Sequence, residues 1–432
     1  MNRTSLLDDG RVLASIIAPT IAKGAIKRRP SVEALAQHHG LDTSALQLLQ
    51  ELRRKYGSEP LLVSVLFRSQ VIVLDPNDVE QVLQETPEPF TSASKEKRSA
   101  LRHFEPNNIL IADPEQRAEL RPVHEQALAT NQRTHPFFER FQTIIDEELQ
   151  HLIDQQRGGE SEFDIDWSEF AMAWSRITIR ISLGDSARDD TDLIDTLDDI
   201  RQRANWGFMA FTDHKKLDHY QARISEYLER REEGSLVSRL PKDSNLDLGS
   251  QVAQWLFAFD AAALATYRAL ALLAVHPDHQ DKAFQEAQQG GPDRQLMRGI
   301  FLESLRLWPT TPAILRELTE DYQIGGKLVK KGTGVVIFTP FFHRDGEKLP
   351  FADRLEPDQW KNKEIIIEKG LVPFSSGPAI CPAHNLVPMV ASLVLGGFLK
   401  AAKVGLISPQ LDPAVLPGTL NNFEVKLRLT KR

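Results

Sequence analysis

The pattern of hydrophobic and polar positions changes its period along the chain and predicts a mainly helical protein with small β-sheets. Two short runs rich in β-branched and aliphatic residues, Leu61 to Phe67 and Val71 to Leu74, predict a hairpin that turns at Arg68 to Gln70. Residues 322–338 form two further strand-like runs, and alternation over 423–429 predicts a closing strand. The fold class expected is therefore α+β, with helices dominant.

Apolar residues at helical spacing predict that the larger part of the chain is helical. Helices are expected over 137–153, 163–183, 193–211, from the Gly-Gly-Pro at 290–292 to Trp308, and over 387–399. The segment Gln251 to His276 is apolar nearly all round and is followed by Pro277, which predicts a buried central helix.

The organisation along the chain favours one domain. Neither repeats nor low-complexity linkers interrupt the sequence, so we expect a single domain over 1–432. Its β-rich regions are expected near 58–75, 320–340 and 404–430, and its helical body over 76–319 and 382–403.

Composition limits the classes of function. The chain has 432 residues, of which 41% are hydrophobic and 26% charged, which is ordinary for a soluble protein with a large core. A net charge of -8 without long like-charge runs argues against a nucleic-acid partner. A single cysteine excludes an intramolecular disulfide and fits a reducing compartment, so we expect a cytoplasmic protein.

Contact with a membrane is expected to be peripheral at most. We expect no segment that spans a bilayer and no signal peptide, because Pro19 interrupts the apolar run Val12 to Ala22. This run is expected to pack on the body or stay loose; a helix lying on a membrane surface is the alternative.

The only cysteine, Cys381, lies in a loop that reads Phe-Ser-Ser-Gly-Pro-Ala-Ile-Cys-Pro over 374–382. A loop that delivers a cysteine to the start of an apolar helix offers a thiolate to a soft metal. Gly377 would let the backbone pass close under a flat cofactor, and Phe374 would pack beside the sulfur. A small buried hydrophobe without special chemistry is the alternative for a lone cysteine.

Charged residues at three other places are candidates for the same site. Arg117 and Arg121 lie one turn apart on a predicted helix and suit a dianion, although a solvated basic face has the same spacing. Asp260 lies inside the central apolar helix, where a carboxylate is costly unless it is paired, solvated or functional. Glu303 and Arg306, three residues apart on one helical face, can form an ion pair.

The separation of Phe374, Gly377 and Cys381 resembles the heme-binding loop of the cytochrome P-450 family, whose cysteine is the proximal ligand of heme iron. Two positions depart from the family: Ala379 replaces an arginine or histidine, and Ala383 replaces a glycine. The resemblance extends over nearly the whole chain because the other motifs follow in the family's order. It implies the cytochrome P-450 fold, with a long central helix over heme b (iron protoporphyrin IX).

The resemblance also assigns roles to the charged residues. It implies that Arg117 and Arg121 bind the heme propionates together with Arg316, which follows the segment 310–315. It makes Glu303 and Arg306 the family's structural Glu-x-x-Arg pair. The arginine that completes this pair in the family is replaced by Gln359, and Arg354 is a candidate substitute.

Counted back from the His-Pro pair at 276–277, Asp260 occupies the position at which the family has an acidic residue. Ala258 and Ala261 would then lie beside the heme. The family normally has a threonine at the position of Ala261, whose hydroxyl helps deliver protons to oxygen. Three alternatives follow: ordered water with Asp260, a hydroxyl on the substrate, or the use of peroxide.

The resemblance implies insertion of one oxygen atom from O2 into an apolar organic substrate. The side chains expected to line the substrate space are Phe208, Phe257, Phe259, Ala262 and Ile314. Electrons would come from a ferredoxin and its reductase, docked near Lys361, Lys363 and Lys369, and the protein would be a monomer. The alternatives are a peroxide-using or non-oxidative heme-thiolate enzyme, and a heme-binding protein without catalysis.

Overall fold

The computed structural model describes residues 2–65, 68–158, 160–207, 211–242 and 244–432. Phe208, expected to line the substrate space, lies outside the described residues. The helices of the described chain are Leu6–Val12 (α1), Ala18–Ala22 (α2), Pro30–His38 (α3), Leu41–Tyr56 (α4), Pro76–Gln84 (α5), Lys95–Leu101 (α6), Pro114–Ala127 (α7), Phe138–Arg157 (α8), Trp167–Leu183 (α9), Thr191–Ala204 (α10), His214–Arg230 (α11), Leu248–Val275 (α12), Pro277–Gln289 (α13), Gln295–Leu307 (α14), Thr339–His343 (α15) and Leu386–Ala401 (α16).

Short strands fill the gaps between groups of helices. They are Asn2–Arg3 (β1), Leu61–Val65 (β2), Arg68–Ile72 (β3), Phe90–Thr91 (β4), Glu162–Ile165 (β5), Ala313–Leu318 (β6), Tyr322–Ile324 (β7), Lys327–Val329 (β8), Gly334–Phe338 (β9), Ala402–Ser408 (β10) and Lys426–Lys431 (β11). Six of them form a sheet in the order β1-β2-β3-β9-β6-β4, three form a sheet in the order β10-β11-β5, and β7 pairs with β8.

The hydrophobic core lies around α12. This helix packs against α9, α14 and α16, and a separate cluster of buried side chains lies between the six-stranded sheet and α4 and α5. The sequence predicts no segment able to span a bilayer. By length and hydropathy, α12 is nonetheless long and apolar enough to cross a membrane. However, 72% of its most apolar stretch is buried inside the protein, as in the core helix of a soluble protein.

The leader of the chain packs on the body. A π-helical turn, Leu13–Ile17, joins α1 to α2, and the side chains of Val12 and Ile16 are buried against the cluster next to the six-stranded sheet. The prediction that this run packs on the body is therefore confirmed, and the alternative of contact with a membrane surface stays a prediction.

Several predicted boundaries are wrong for local reasons. The hairpin turn is not at 68–70, because Arg68 already pairs with Val65 in β3. Residue 163 lies in β5 rather than in a helix, since Asp166 caps α9 by accepting from the backbone N–H groups of Ser168 and Glu169. The helix predicted over 193–211 ends at Ala204.

The strand boundaries also differ from the prediction. The sheet region expected to begin near 320 begins at Ala313, because β6 alternates buried and partly exposed residues from there. The closing strand starts only at Lys426, after a 3-10 turn over Asn422–Glu424.

Candidate functional site

A cavity of about 1940 Å³ opens below α12 and receives side chains from the loops and from β6. It is lined by twelve of the residues that the sequence singled out, namely Arg117, Arg121, Phe257, Ala258, Phe259, Asp260, Ala261, Ala262, Ile314, Arg316, Phe374 and Cys381. Gly377, Glu303 and Arg306 lie outside its wall.

Cys381 stands in a turn between the 3-10 turn Gly377–Ala379 and α16. Its N–H donates to the Phe374 carbonyl at 2.9 Å, which closes the loop. Burial raises the pKa of the Cys381 thiol, and the Ala383 N–H and the charge of Arg121 only partly oppose this effect. The interior therefore favours the neutral thiol, and a metal ion is the natural means of holding the sulfur as a thiolate.

The helix after the cysteine begins later than expected. We placed Cys381 at the start of that helix, but α16 starts at Leu386. The sulfur is therefore stabilised by a single loop N–H rather than by the positive end of a helix.

Gly377 is required by the packing of the loop. Its φ is +66°, and a Cβ at this position would lie 2.2 Å from the carbonyl oxygen of Leu83 near the end of α5. The close contact that requires a glycine here is with α5, and the role of Gly377 in the approach of a cofactor stays a prediction.

Three cations face the same cavity, of which Arg117 and Arg316 are buried and Lys97 is half-buried. Arg117, Arg316 and Lys97 line it, and within the described residues none of them forms an ion pair with a carboxylate. Desolvation lowers the pKa of all three, to about 10 for Arg316. Repulsion by a neighbouring cation adds to the effect: Arg121 acts on Arg117, and Arg117 acts on both Arg316 and Lys97. Such a group of cations matches a ligand that carries two carboxylates.

Arg121 has a different set of contacts. Its Nη1 donates to the Ile380 carbonyl at 2.7 Å, next to the cysteine, and its Nε pairs with Glu125 at 2.6 Å. The side chain thus connects α7 to the cysteine loop, whereas Arg117 points its charge at the cavity without an acidic partner.

A neutral histidine fixes α7 against α12. Trp255 Nε1 donates to His124 Nδ1 at 3.0 Å, so the proton lies on Nε2, which donates to Gln251 Oε1 at 3.0 Å. Burial lowers the pKa of His124 to about 4. These three residues were missed by the sequence analysis, although they hold the helix that carries Arg117.

Asp260 lies on the wall of the cavity, where 57% of its side chain is exposed. Its Oδ2 accepts from Nη1 of Arg201 on α10. The surrounding wall desolvates the carboxyl and raises the pKa of Asp260, and the charge of Arg201 is the main opposing effect. Among the expected lining residues, Phe259 is almost fully buried, and its carbonyl accepts from Trp174 Nε1 at 2.9 Å.

The pair Glu303 and Arg306 is fully buried behind the cavity. Two parallel hydrogen bonds of 2.7 and 2.8 Å join the two side chains. Gln359 occupies the third position and donates to Glu303. The candidate substitute Arg354 was wrong: its guanidinium donates to the Pro350 carbonyl, and only its backbone carbonyl reaches Arg306.

Comparison with known proteins agrees with this geometry. The family model described as Cytochrome P450 matches residues 29–230 and 224–418, which is most of the chain. The chain belongs to the cytochrome P450 family. The fold also matches the crystal structure of CYP175A1 from Thermus thermophilus, with a TM-score of 0.71, 18% identity and full coverage of both chains.

Curated P450 relatives match over shorter segments. Cytochrome P450 4c3 of Drosophila melanogaster is 29% identical over 189 residues, which is 40% of this chain and 35% of the relative. The (+)-piperitol/(+)-sesamin synthase CYP81Q2 of Sesamum radiatum is 30% identical over 164 residues, covering 35% of this chain and 32% of the relative. The matched segments thus span about a third of each relative's length.

Heme is the cofactor that the family implies, and the residues of this cavity fit it. Cys381 would supply a sulfur ligand, and the cations Lys97, Arg117 and Arg316 have no acidic partner among the described residues. Lys97 was missed because it lies on the short helix α6 in a polar region, where a lysine gives no local signal of a site.

Proposed function

We propose that this protein is a heme-thiolate monooxygenase that inserts one atom of O2 into an apolar organic molecule. The observation that carries the proposal is the placement of Cys381 and of three cations without acidic partners on the wall of one cavity under α12. When bound, a heme with a thiolate ligand activates O2 for attack on C–H bonds.

The proposed cofactor is heme b. Cys381 would bind the iron, Arg117, Arg316 and Lys97 would hold the propionates, and Arg121 would hold the cysteine loop. Ala258 and Ala261 leave room for a flat ring system beside α12, and Phe374 would shield the sulfur from water.

Asp260 is proposed to hold and deliver a proton. It faces the cavity from α12, and its pairing with Arg201 keeps the carboxylate at a fixed place in the wall. Because Ala261 has no hydroxyl, water bound at Asp260 is the proton carrier we favour.

The substrate is proposed to be apolar. Phe257, Ala262 and Ile314 present hydrocarbon surface to the cavity, with Phe259 largely behind them. Burial of such surface favours a hydrophobic ligand over a charged one.

Electrons are proposed to come from a ferredoxin and its reductase, with the protein acting as a cytoplasmic monomer. Lys361, Lys363 and Lys369 are exposed on the segment before the cysteine loop, where an acidic partner would dock. Neutralising all three should weaken the salt dependence of reduction; an unchanged salt dependence would place the docking surface elsewhere.

The decisive experiment is the absorption spectrum of the dithionite-reduced protein with carbon monoxide. We expect a strongly red-shifted Soret band that is lost in Cys381→Ala. A band like that of a histidine-ligated or neutral-thiol heme, in folded protein, would instead indicate a heme-binding protein without this catalysis.

A peroxide-using enzyme is the second candidate, favoured by Ala261. Turnover with peroxide alone, compared with turnover with O2 and a ferredoxin system, separates the two candidates.

A further inference from the structure

The middle of α12 is accessible along a single stripe. In the stretch 250–273, the residues that are not buried are Gln254, Phe257, Ala258, Asp260, Ala261 and Leu264. All of them line the cavity, and all except Asp260 follow the three- and four-residue steps of one helical face. The accessible part of Gln254 therefore belongs to the wall of the cavity.

Gln254 is the polar residue of this stripe whose side chain has no partner within the described chain. Its Oε1 is enclosed and accepts no hydrogen bond, and its Nε2 makes none with the described residues. Because Oε1 has no accessible surface, the accessible end of the amide is its N–H2 group. The side chain thus presents a free hydrogen-bond donor to the cavity, beside the apolar side chains of Phe257 and Ala258.

The polar groups next to Gln254 on α12 do have partners. Oε1 of Gln251 accepts from His124 Nε2 at 3.0 Å, and its Nε2 donates to two backbone carbonyls at 2.9 and 3.0 Å. The Ala253 carbonyl accepts from Arg201 Nη2 at 3.2 Å. These contacts fix the helix ahead of Gln254, so the place from which its amide reaches into the cavity is set before a ligand enters.

The fold gains no hydrogen bond from the amide of Gln254. An enclosed oxygen without a donor costs stability, whereas a methionine of similar volume would carry no such cost. The counterpart of the N–H2 group is therefore expected in the contents of the cavity. Because an α-helix rises about 1.5 Å per residue, Gln254 lies about 10 Å along the axis from Ala261, which the proposed function places beside the heme.

We propose that Gln254 determines substrate specificity by donating a hydrogen bond to a carbonyl or hydroxyl oxygen at the end of the substrate remote from Ala261. This inference rests on the proposed function. It narrows the substrate class from apolar molecules in general to apolar molecules that carry one such oxygen. A pure hydrocarbon would leave the amide desolvated and unpaired, and this loss is the basis of discrimination. The contact is a binding step in which no bond or charge changes.

Spectral titration of the heme-loaded protein with N-alkylimidazoles tests the inference without turnover. The imidazole anchors each probe on the iron, and the far end of the alkyl chain is either a methyl group or a methyl ketone. Over a series of chain lengths, we expect one length at which the ketone binds about five- to tenfold more tightly than the matched hydrocarbon. Gln254→Met should abolish this preference and leave the affinity for the hydrocarbon probe nearly unchanged.

The control is Gln288→Met on α13, which is exposed and outside the cavity wall and should keep the preference for the ketone. A preference that persists in Gln254→Met, or the absence of a preference at every chain length, would overturn the proposal. If Gln254→Met does not fold, Gln254→Asn keeps the amide and shortens its reach by one methylene. The preferred probe should then be longer, and an unchanged optimum would contradict a direct contact.

The infrared band of the bound ketone separates a hydrogen bond from a change in packing. Donation by the Gln254 N–H2 group should lower the carbonyl stretching frequency in the wild-type protein relative to Gln254→Met. Equal frequencies in the two proteins would overturn the proposal. If the reduced protein gave the carbon monoxide band of a neutral-thiol heme, the proposed function would fail, whereas the infrared comparison would still decide whether Gln254 binds the ketone.

Discussion

Gln359 Nε2 donates to Glu303 Oε1 at 2.8 Å, so an amide takes the place of the guanidinium that other P450 proteins carry at this position. Trp360 Nε1 donates to the same oxygen at 2.7 Å, and the Glu356 N–H donates to the other oxygen at 2.7 Å. Together with Arg306, these donors satisfy a carboxylate that is completely buried. The pair therefore keeps its structural role without a second positive charge.

Replacing Gln359 with leucine should destabilise the protein. The change keeps the side-chain volume but removes one donor from a buried carboxylate, which costs about 1.5 kcal/mol or more. Urea unfolding followed by circular dichroism measures the difference. The exposed Gln288→Leu on α13 is the control and should change the free energy of unfolding little. Equal effects of the two substitutions would show that the Gln359 hydrogen bond contributes no stability.

Gly377→Ala should disturb the cysteine loop. A Cβ there would meet the Leu83 carbonyl oxygen at 2.2 Å, in addition to the strain of a φ of +66°. Gly326→Ala is a matched control, because its φ is +72° but no atom lies within 4 Å of the added Cβ. We expect a larger fall in Tm and in heme content for Gly377→Ala than for the control. Similar losses would mean that the loop moves away from α5 at little cost.

The sequence predicted the parts of the site that depend on order along the chain. The spacing from Phe374 to Cys381, the position of Asp260 ahead of a His-Pro pair and the pair Glu303–Arg306 are local patterns, and most of these residues lie at or behind the cavity. Gly377 was found by its spacing, but its contact with α5 was not foreseen, because that contact joins segments almost 300 positions apart.

The residues that the sequence missed act across the fold. In the sequence Arg201 is an ordinary charged residue on an amphipathic helix, and only the packing of α10 near α12 brings it to Asp260. Lys97 follows two other charged residues on a short helix, so its sequence does not distinguish it from them. Asp166 did carry a capping signal, with Glu169 three residues later, that would have placed the start of α9 correctly.

His124 should make stability fall in acid. The unfolded residue takes up a proton near pH 6.5 and the folded one only near 4, so the unfolded state binds more protons between these values. Stability contributed by the neutral histidine is therefore lost as pH falls from about 6.5 to 4, by about 3 kcal/mol.

The measurement for His124 is the free energy of unfolding as a function of pH. His124→Asn should have a shallower slope between pH 6.5 and 4, although it is less stable at pH 7. His219→Asn is the control, because His219 is exposed and pairs with Asp192. An unchanged slope in His124→Asn would show that other groups, such as the buried His135 and His343 whose pKa values are also lowered, account for the acid loss.

Lys97→Met should weaken heme binding. The ammonium group is the third cation at the proposed propionate site, and removing one charge-assisted contact in a buried site should cost about a tenfold change in affinity. Heme transfer to excess apomyoglobin measures this effect, with the exposed Lys215→Met on α11, away from the cavity wall, as the control.

A modified cofactor shows whether the charge of Lys97 meets a propionate. Heme dimethyl ester carries no carboxylate, so wild-type protein and Lys97→Met should bind it with similar affinity. A tenfold difference that persisted with the ester would mean that Lys97 acts through packing rather than through its charge.

Asp260→Asn should slow oxygen-dependent turnover while heme binding remains intact. The amide keeps the shape of the side chain but cannot carry a proton as the carboxyl does, and loss of a general acid typically lowers a rate by about a hundredfold or more. Product formation, hydrogen peroxide formation and the carbon monoxide spectrum are measured on the same preparation. The exposed Asp199→Asn, which removes only a surface pair with Lys216, is the control. Turnover equal to wild type with normal heme content would remove Asp260 from the proton route and, because Ala261 offers no hydroxyl, would favour the peroxide-using alternative.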